Sequence, residues 1–106
     1  MLHPVNGRNM KLQNQFGKVF RRVRRVRGLT QEAFANESGR TYISEVERGL
    51  KHPTLQKIDE LATALGLHPL TLVALSYMDK DDAVVLGLLL QRVEKEAQEV
   101  LRKELK

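Results

Sequence analysis

The sequence predicts an all-α protein: five helices of short to medium length, then a long amphipathic C-terminal helix. Three observations lead there. Apolar residues recur three and four apart through most of the chain, as in Phe16, Val19, Phe20, Val23 and Val26. No stretch alternates apolar and polar at the period of two that a strand requires. Most of the glycines and prolines fall between the periodic stretches, at Gly28, Gly39, Gly49, Pro53, Gly66 and Pro69, where helices are expected to stop or start.

In chain order, residues 1–12 are polar with Pro4 and Gly7, and are expected to form a flexible arm. A first helix is expected from Leu12 to Arg27, with its phenylalanines and valines inward, its arginines outward, and Gly28 as its stop. Thr30 is placed to cap a second helix, with Gln31 and Glu32 in its first turn and an acid near its positive end. Ala33, Phe34 and Glu37 follow on successive turns, Ala35 gives a neighbouring helix room, and Gly39 is the breaker. A third helix is expected from Arg40 to Glu47, with Ile43 and Val46 buried. Two short helices joined by a glycine turn form the helix-turn-helix arrangement, whose second helix suits the major groove of DNA. Leu50 to Pro53 is a loop, because Pro53 pushes His52 out of helical geometry. Thr54 caps a fourth helix, Leu55 to Leu65, with Leu55, Ile58, Leu61, Ala62 and Leu65 inward and Gly66 ending it. His68 and Pro69 open a fifth helix near Leu70 to Ser76, with Leu70, Val73 and Leu75 completing the core. Aromatics are sparse, so that core is expected to be aliphatic. An acidic link at residues 79–82 caps the last helix, Asp81 to Leu105.

Charge is unevenly distributed. The net charge is +5, yet residues 1–30 carry eight basic side chains and no acid, while the remaining 76 carry ten basic and 13 acidic, net −3. Such asymmetry points to an anionic partner near the N-terminal third. There is no cysteine, which excludes a disulfide framework and a thiolate metal site. His3, His52 and His68 lack ligand spacing, so no metal is expected. The chain shows no phosphate-binding glycine loop. Its adjacent acidic pairs, Asp59-Glu60 and Asp81-Asp82, sit at positions that do not face each other on a helix. No nucleophile–base pair suggests itself, so the sequence predicts a non-enzyme with no cofactor and no evident small-molecule ligand. The apolar run from Ala83 to Leu90 is far shorter than the ~20 residues that span a bilayer, and the N-terminus lacks a signal core. A cytoplasmic protein is expected.

Several motifs occur together in one order: Phe16-Gly17, Arg24, GLTQEAFA from Gly28, YISEVERG from Tyr42, Pro53-Thr54-Leu55, and IDELATALGL from Ile58. With them, residues 13–76 resemble the Xre/Cro family of lambda-repressor-like DNA-binding domains. One feature departs from it: the family carries two more residues between the turn glycine and the position of Arg40. Two residues correspond to about 200° of helix rotation, so Ile43 and Val46 stay buried only if the turn is rebuilt.

The resemblance implies a five-helix lambda-repressor-like helix-turn-helix domain over residues 13–78 and a sequence-specific DNA-binding transcriptional regulator, with repression as the expected mode. It implies base contacts from Arg40, Thr41, Ser44 and Glu45. Backbone contacts or register are expected from Gln31, Tyr42, Arg48, Lys51 and Thr54, with packing an equal alternative for Tyr42. Arg21 and Arg22, in the acid-free third, are expected on phosphates. Arg24 is expected to pair with Glu47. Residues 79–106 lie outside the shared region. Their helix places Leu86, Leu89, Leu90, Val93, Ala97, Val100 and Leu101 toward one side, a face suited to homodimerisation. An antitoxin-like or adaptor module, with DNA binding secondary, is the alternative.

Overall fold

A computed structural model of the 106-residue chain describes the backbone of residues 5–34, 39–78 and 82–105. Helix α1 spans Val5–Val26, followed by a 3-10 turn at Gln31–Phe34, then α2 (Arg40–Glu47), α3 (Leu55–Leu65), α4 (Pro69–Tyr77) and α5 (Ala83–Leu105). Among the described residues there is no strand.

The core lies between α1, the 3-10 turn, α2, α3 and α4. Phe20, Phe34, Ile43, Val46, Leu61 and Leu72 are its largest fully buried side chains, with Phe16, Ala62 and Leu65 around them. Contrary to the aliphatic expectation, all three phenylalanines are inside. The Phe20 ring stacks at 6.5 Å from Phe16 and meets Phe34 edge-on at 5.4 Å, both within the favourable range for aromatic pairs.

Several local expectations hold. Thr54 caps α3 by accepting a 3.1 Å bond from the Lys57 amide. Gly66 closes that helix in the left-handed conformation, φ 76°, which a side chain would strain. His68 precedes α4 and accepts the Leu70 amide at Nδ1, 3.0 Å, with Pro69 at the start of the helix. Asp82 begins α5 by accepting the Val84 amide at 2.7 Å; Asp81 lies outside the described residues.

Others are corrected. Helix α1 starts at Val5, not Leu12, so residues 5–12 of the expected arm are helical. Arg8, Met10, Lys11, Leu12 and Gln13 are good helix formers, and a helix once nucleated propagates through them. Val26 is 79% exposed because it lies in the last turn, past the end of the core. Leu55 and Leu70 open their helices and are solvent-facing, whereas Leu72, not singled out from sequence, is fully buried. The first helix of the expected pair is one 3-10 turn over its described part; Ala35 and Glu37 lie outside the described residues.

Candidate nucleic-acid interface

The geometry of the interface begins with the turn before α2. Gly39 has φ 83°, a region closed to most L-residues, and its amide bonds the Phe34 carbonyl at 3.2 Å. Residues 35–38 of this turn lie outside the described residues. Ile43 and Val46 are both fully buried. No side chain caps α2, and the Gly39 carbonyl accepts the Ile43 amide at 3.2 Å.

Two contacts seat α2 on the body. The first is main chain against main chain. A Cβ added at Gly17 would collide with the Val46 carbonyl oxygen and lie 2.9 Å from that of Glu47, so α1 meets the end of α2 without room for a side chain. The second is a buried ion pair, as expected from sequence. Arg24 donates from Nε and Nη2 to the two Glu47 carboxylate oxygens, at 2.6 and 3.0 Å, and from Nη1 to the Leu29 carbonyl at 2.8 Å. Both side chains are over nine-tenths buried, and Gln31 adds a third donor to Glu47 at 3.1 Å. The hydrogen bond to Glu47 raises the Arg24 guanidinium above its ordinary pKa against the opposing pull of burial, so it stays charged.

With its inner side fixed, α2 presents the rest to solvent. Arg40 and Thr41 are exposed at its start, Ser44 and Glu45 are half-buried along its outer side, and Arg48 is exposed just past its end. The structure thus brings the four expected base-contacting residues together on one surface. Arg40 Nη1 donates to Glu32 Oε1 of the 3-10 turn at 3.2 Å, both side chains being largely exposed. Arg48 Nε reaches back toward the Ser44 carbonyl at 3.4 Å. Lys51 and Thr54 are exposed in the loop beyond.

Tyr42 is half-buried against the core, with the Lys57 ammonium 5.5 Å from its ring centroid. Burial raises its phenol above the usual pKa, with Lys57 acting the other way. Lys57, which also pairs with Glu60 at 3.1 Å, was not singled out from sequence. Neither was Glu32. A Glu at the second position of a turn carries no sequence signal for a partner eight residues later, because that partner is set by how the 3-10 turn and α2 sit against each other.

Arg21 and Arg22 part company. Both are exposed, but Arg22 lines a groove with Val19, Val23 and Val26 of α1, Leu75 of α4 and Leu86 of α5. At 100° per residue it points about 160° away from Arg24, which faces α2, whereas Arg21 lies within about 60° of Arg24. The structure does not bring Arg22 to the α2 surface.

The α5 face is largely uncovered. Leu86 and Leu89 are half-buried near α4, while Leu90, Val93, Ala97, Val100 and Leu101 are exposed. Among the described residues no single helix is long and apolar enough to cross a membrane.

A family model described as helix-turn-helix matches residues 20–72, half of the chain and the part that holds the turn, α2 and the core. Over 66 residues the chain is 42% identical to the uncharacterized HTH-type transcriptional regulator y4dJ of Sinorhizobium fredii, covering 60% of this chain and 86% of that protein. Over 57 residues it is 39% identical to the control protein C.BamHI of Bacillus amyloliquefaciens, covering 51% of this chain and 70% of that protein. A buried Arg24–Glu47 clamp, a recognition-type helix with an open outer side and these matches converge: the chain belongs to the Xre/Cro-like helix-turn-helix family of DNA-binding regulators.

Proposed function

We propose that this regulator is a repressor, not an enzyme, that binds a two-fold-symmetric operator as a homodimer in the cytoplasm. Helix α2 enters the major groove. Arg40 donates to a guanine edge, Glu45 accepts from a cytosine amino group, and Thr41 and Ser44 read neighbouring edges. Arg48, Lys51 and Thr54 meet phosphates on one side of the helix and Arg21 on the other. Gln31 and Tyr42 act mainly on register, Gln31 through Glu47 and Tyr42 through its packing. Arg22 is left out of the contact set by its position. The carrying observation is the division of α2 into a fully buried inner side and an outer side bearing Arg40, Thr41, Ser44 and Glu45. The exposed apolar face of α5 supports the dimer, since a bare stripe of this kind marks an interaction site. Two recognition helices then lie about 34 Å apart, one turn of DNA.

Selection of bound sites from a random DNA pool tests this. The expected result is an enriched palindrome with half-sites one turn apart. On that site Arg40→Ala costs about 1–3 kcal/mol and flattens preference at one position per half-site. No enriched motif, with binding that disappears at moderate salt, would overturn the reading and favour an adaptor.

A further inference from the structure

Helix α5 has two unlike halves. Its first half runs beside α4, and between them lies a groove of about 500 Å³ lined by Leu70, Val73, Tyr77, Leu90 and Val93, together with Arg92 and Glu96. The second half leaves the body. Beyond Glu96 every described side chain except Glu99 is exposed, and Val100 and Leu101 are each about 60% exposed. The body therefore offers an apolar groove, and the arm offers apolar side chains. A dozen residues of helix are marginal in water without a surface to pack on.

We propose that the occupant of the groove is the arm of a second copy, exchanged reciprocally: Val100 and Leu101 of each protomer seat in the α4–α5 groove of the other. This rests on the homodimer proposed above and specifies how it is built. Charge favours a second copy over another kind of partner. From Gln91 to Glu104 the arm carries four basic residues (Arg92, Lys95, Arg102, Lys103) and four acidic ones (Glu94, Glu96, Glu99, Glu104). An arm that recognises a strongly charged partner would carry an excess of one sign; a balanced arm fits its own mirror. The register fits too. If two α5 helices lie antiparallel with the two-fold axis level with Glu94, Arg92 of each faces the partner's Glu96. The 3.1 Å pair now made within each helix becomes a four-membered network across the axis. In that register the arm tip reaches the stretch of groove beside Ala74 and Tyr77, at the far end from Leu70.

The absence of cysteine makes the test clean. Full-length chain carrying Ala74→Cys and Leu101→Cys is oxidised at tens of micromolar, alongside each single variant, with circular dichroism to verify folding and sedimentation to report assembly. A disulfide within one chain is excluded by length: Ala74 shares the groove with residues between Leu89 and Glu96 of α5, and Leu101 lies at least about 7.5 Å beyond them along that helix, on top of the separation between the two helices. The exchange predicts that most of the double variant runs as a disulfide-linked dimer, reversed by reductant, while each single variant stays unlinked. Linkage in Leu101→Cys alone would mean that the arms pair with each other, and would overturn the exchange while leaving the dimer standing. A sedimenting dimer with no linkage in the double variant would do the same. A wild-type chain monomeric at this concentration would overturn both the exchange and the homodimer.

Discussion

Replacement of Glu47 by alanine tests how α2 is held. The carboxylate accepts two bonds from Arg24 and one from Gln31, and its removal leaves the Arg24 guanidinium buried with one acceptor among the described residues, the Leu29 carbonyl. Breaking a buried ion pair from one side costs about 3–5 kcal/mol, because a charge stays desolvated without its counterion. Both side chains are less than one-tenth exposed, so water cannot replace the lost carboxylate without opening the packing. A domain of this size has roughly 5–10 kcal/mol of total stability, so Glu47→Ala should remove a large part of it. In thermal terms the midpoint should fall by about 12–20 °C. Urea unfolding followed by circular dichroism measures the change directly. The companion double variant Arg24→Met with Glu47→Leu removes both charges, and should recover most of the loss, since replacing a whole buried pair by apolar groups is nearly neutral. A Glu47→Ala protein within about 0.5 kcal/mol of wild type would refute the reasoning. So would a double variant no more stable than the single one.

Three further outcomes are expected. Gly17→Ala should cost about 2 kcal/mol or more in the same urea assay, because the added carbon meets two carbonyl oxygens that belong to main chain and cannot rotate away. Arg21→Gln should lower affinity for all DNA sequences and reduce the slope of log affinity against log salt by about one, whereas Arg22→Gln should leave the slope unchanged. Leu72→Ala should cost about 2–5 kcal/mol as a cavity in the core, while Leu70→Ala, at a residue 66% exposed, should cost little in the monomer; equal effects would show that the helix is seated on a different face.

What could be read in advance follows from how local each cause is. The bounds of α2, the Thr54 cap and the Gly66 stop rest on one or two neighbouring residues, and the structure has them as expected. The Arg24–Glu47 pair is long-range, and it was legible only because the motif order resembles a family that buries such a pair. Helix α4 shows where periodicity fails. Its sequence PLTLVALSY is apolar at Leu70, Leu72, Val73, Ala74 and Leu75, which is nearly all round, so spacing cannot choose between Leu70 and Leu72. Packing against α1 and α3 makes that choice. The Glu32–Arg40 pair was invisible because it depends on how the 3-10 turn sits against the start of α2, which no helix rule describes. The division between Arg21 and Arg22 needed the orientation of α1 relative to α2, which adjacent arginines in a sequence do not reveal.

The seating of α2 by main chain at Gly17 and by Glu47 has a consequence for how binding preference can change. The main-chain contact at Gly17 and the Arg24–Glu47 pair involve none of Arg40, Thr41, Ser44 or Glu45, and the Arg40–Glu32 pair joins two largely exposed side chains. On the proposed contacts, substitutions at those four positions should alter which bases are preferred at little cost in folding stability. On that reading the domain is re-targetable: one framework, many addresses.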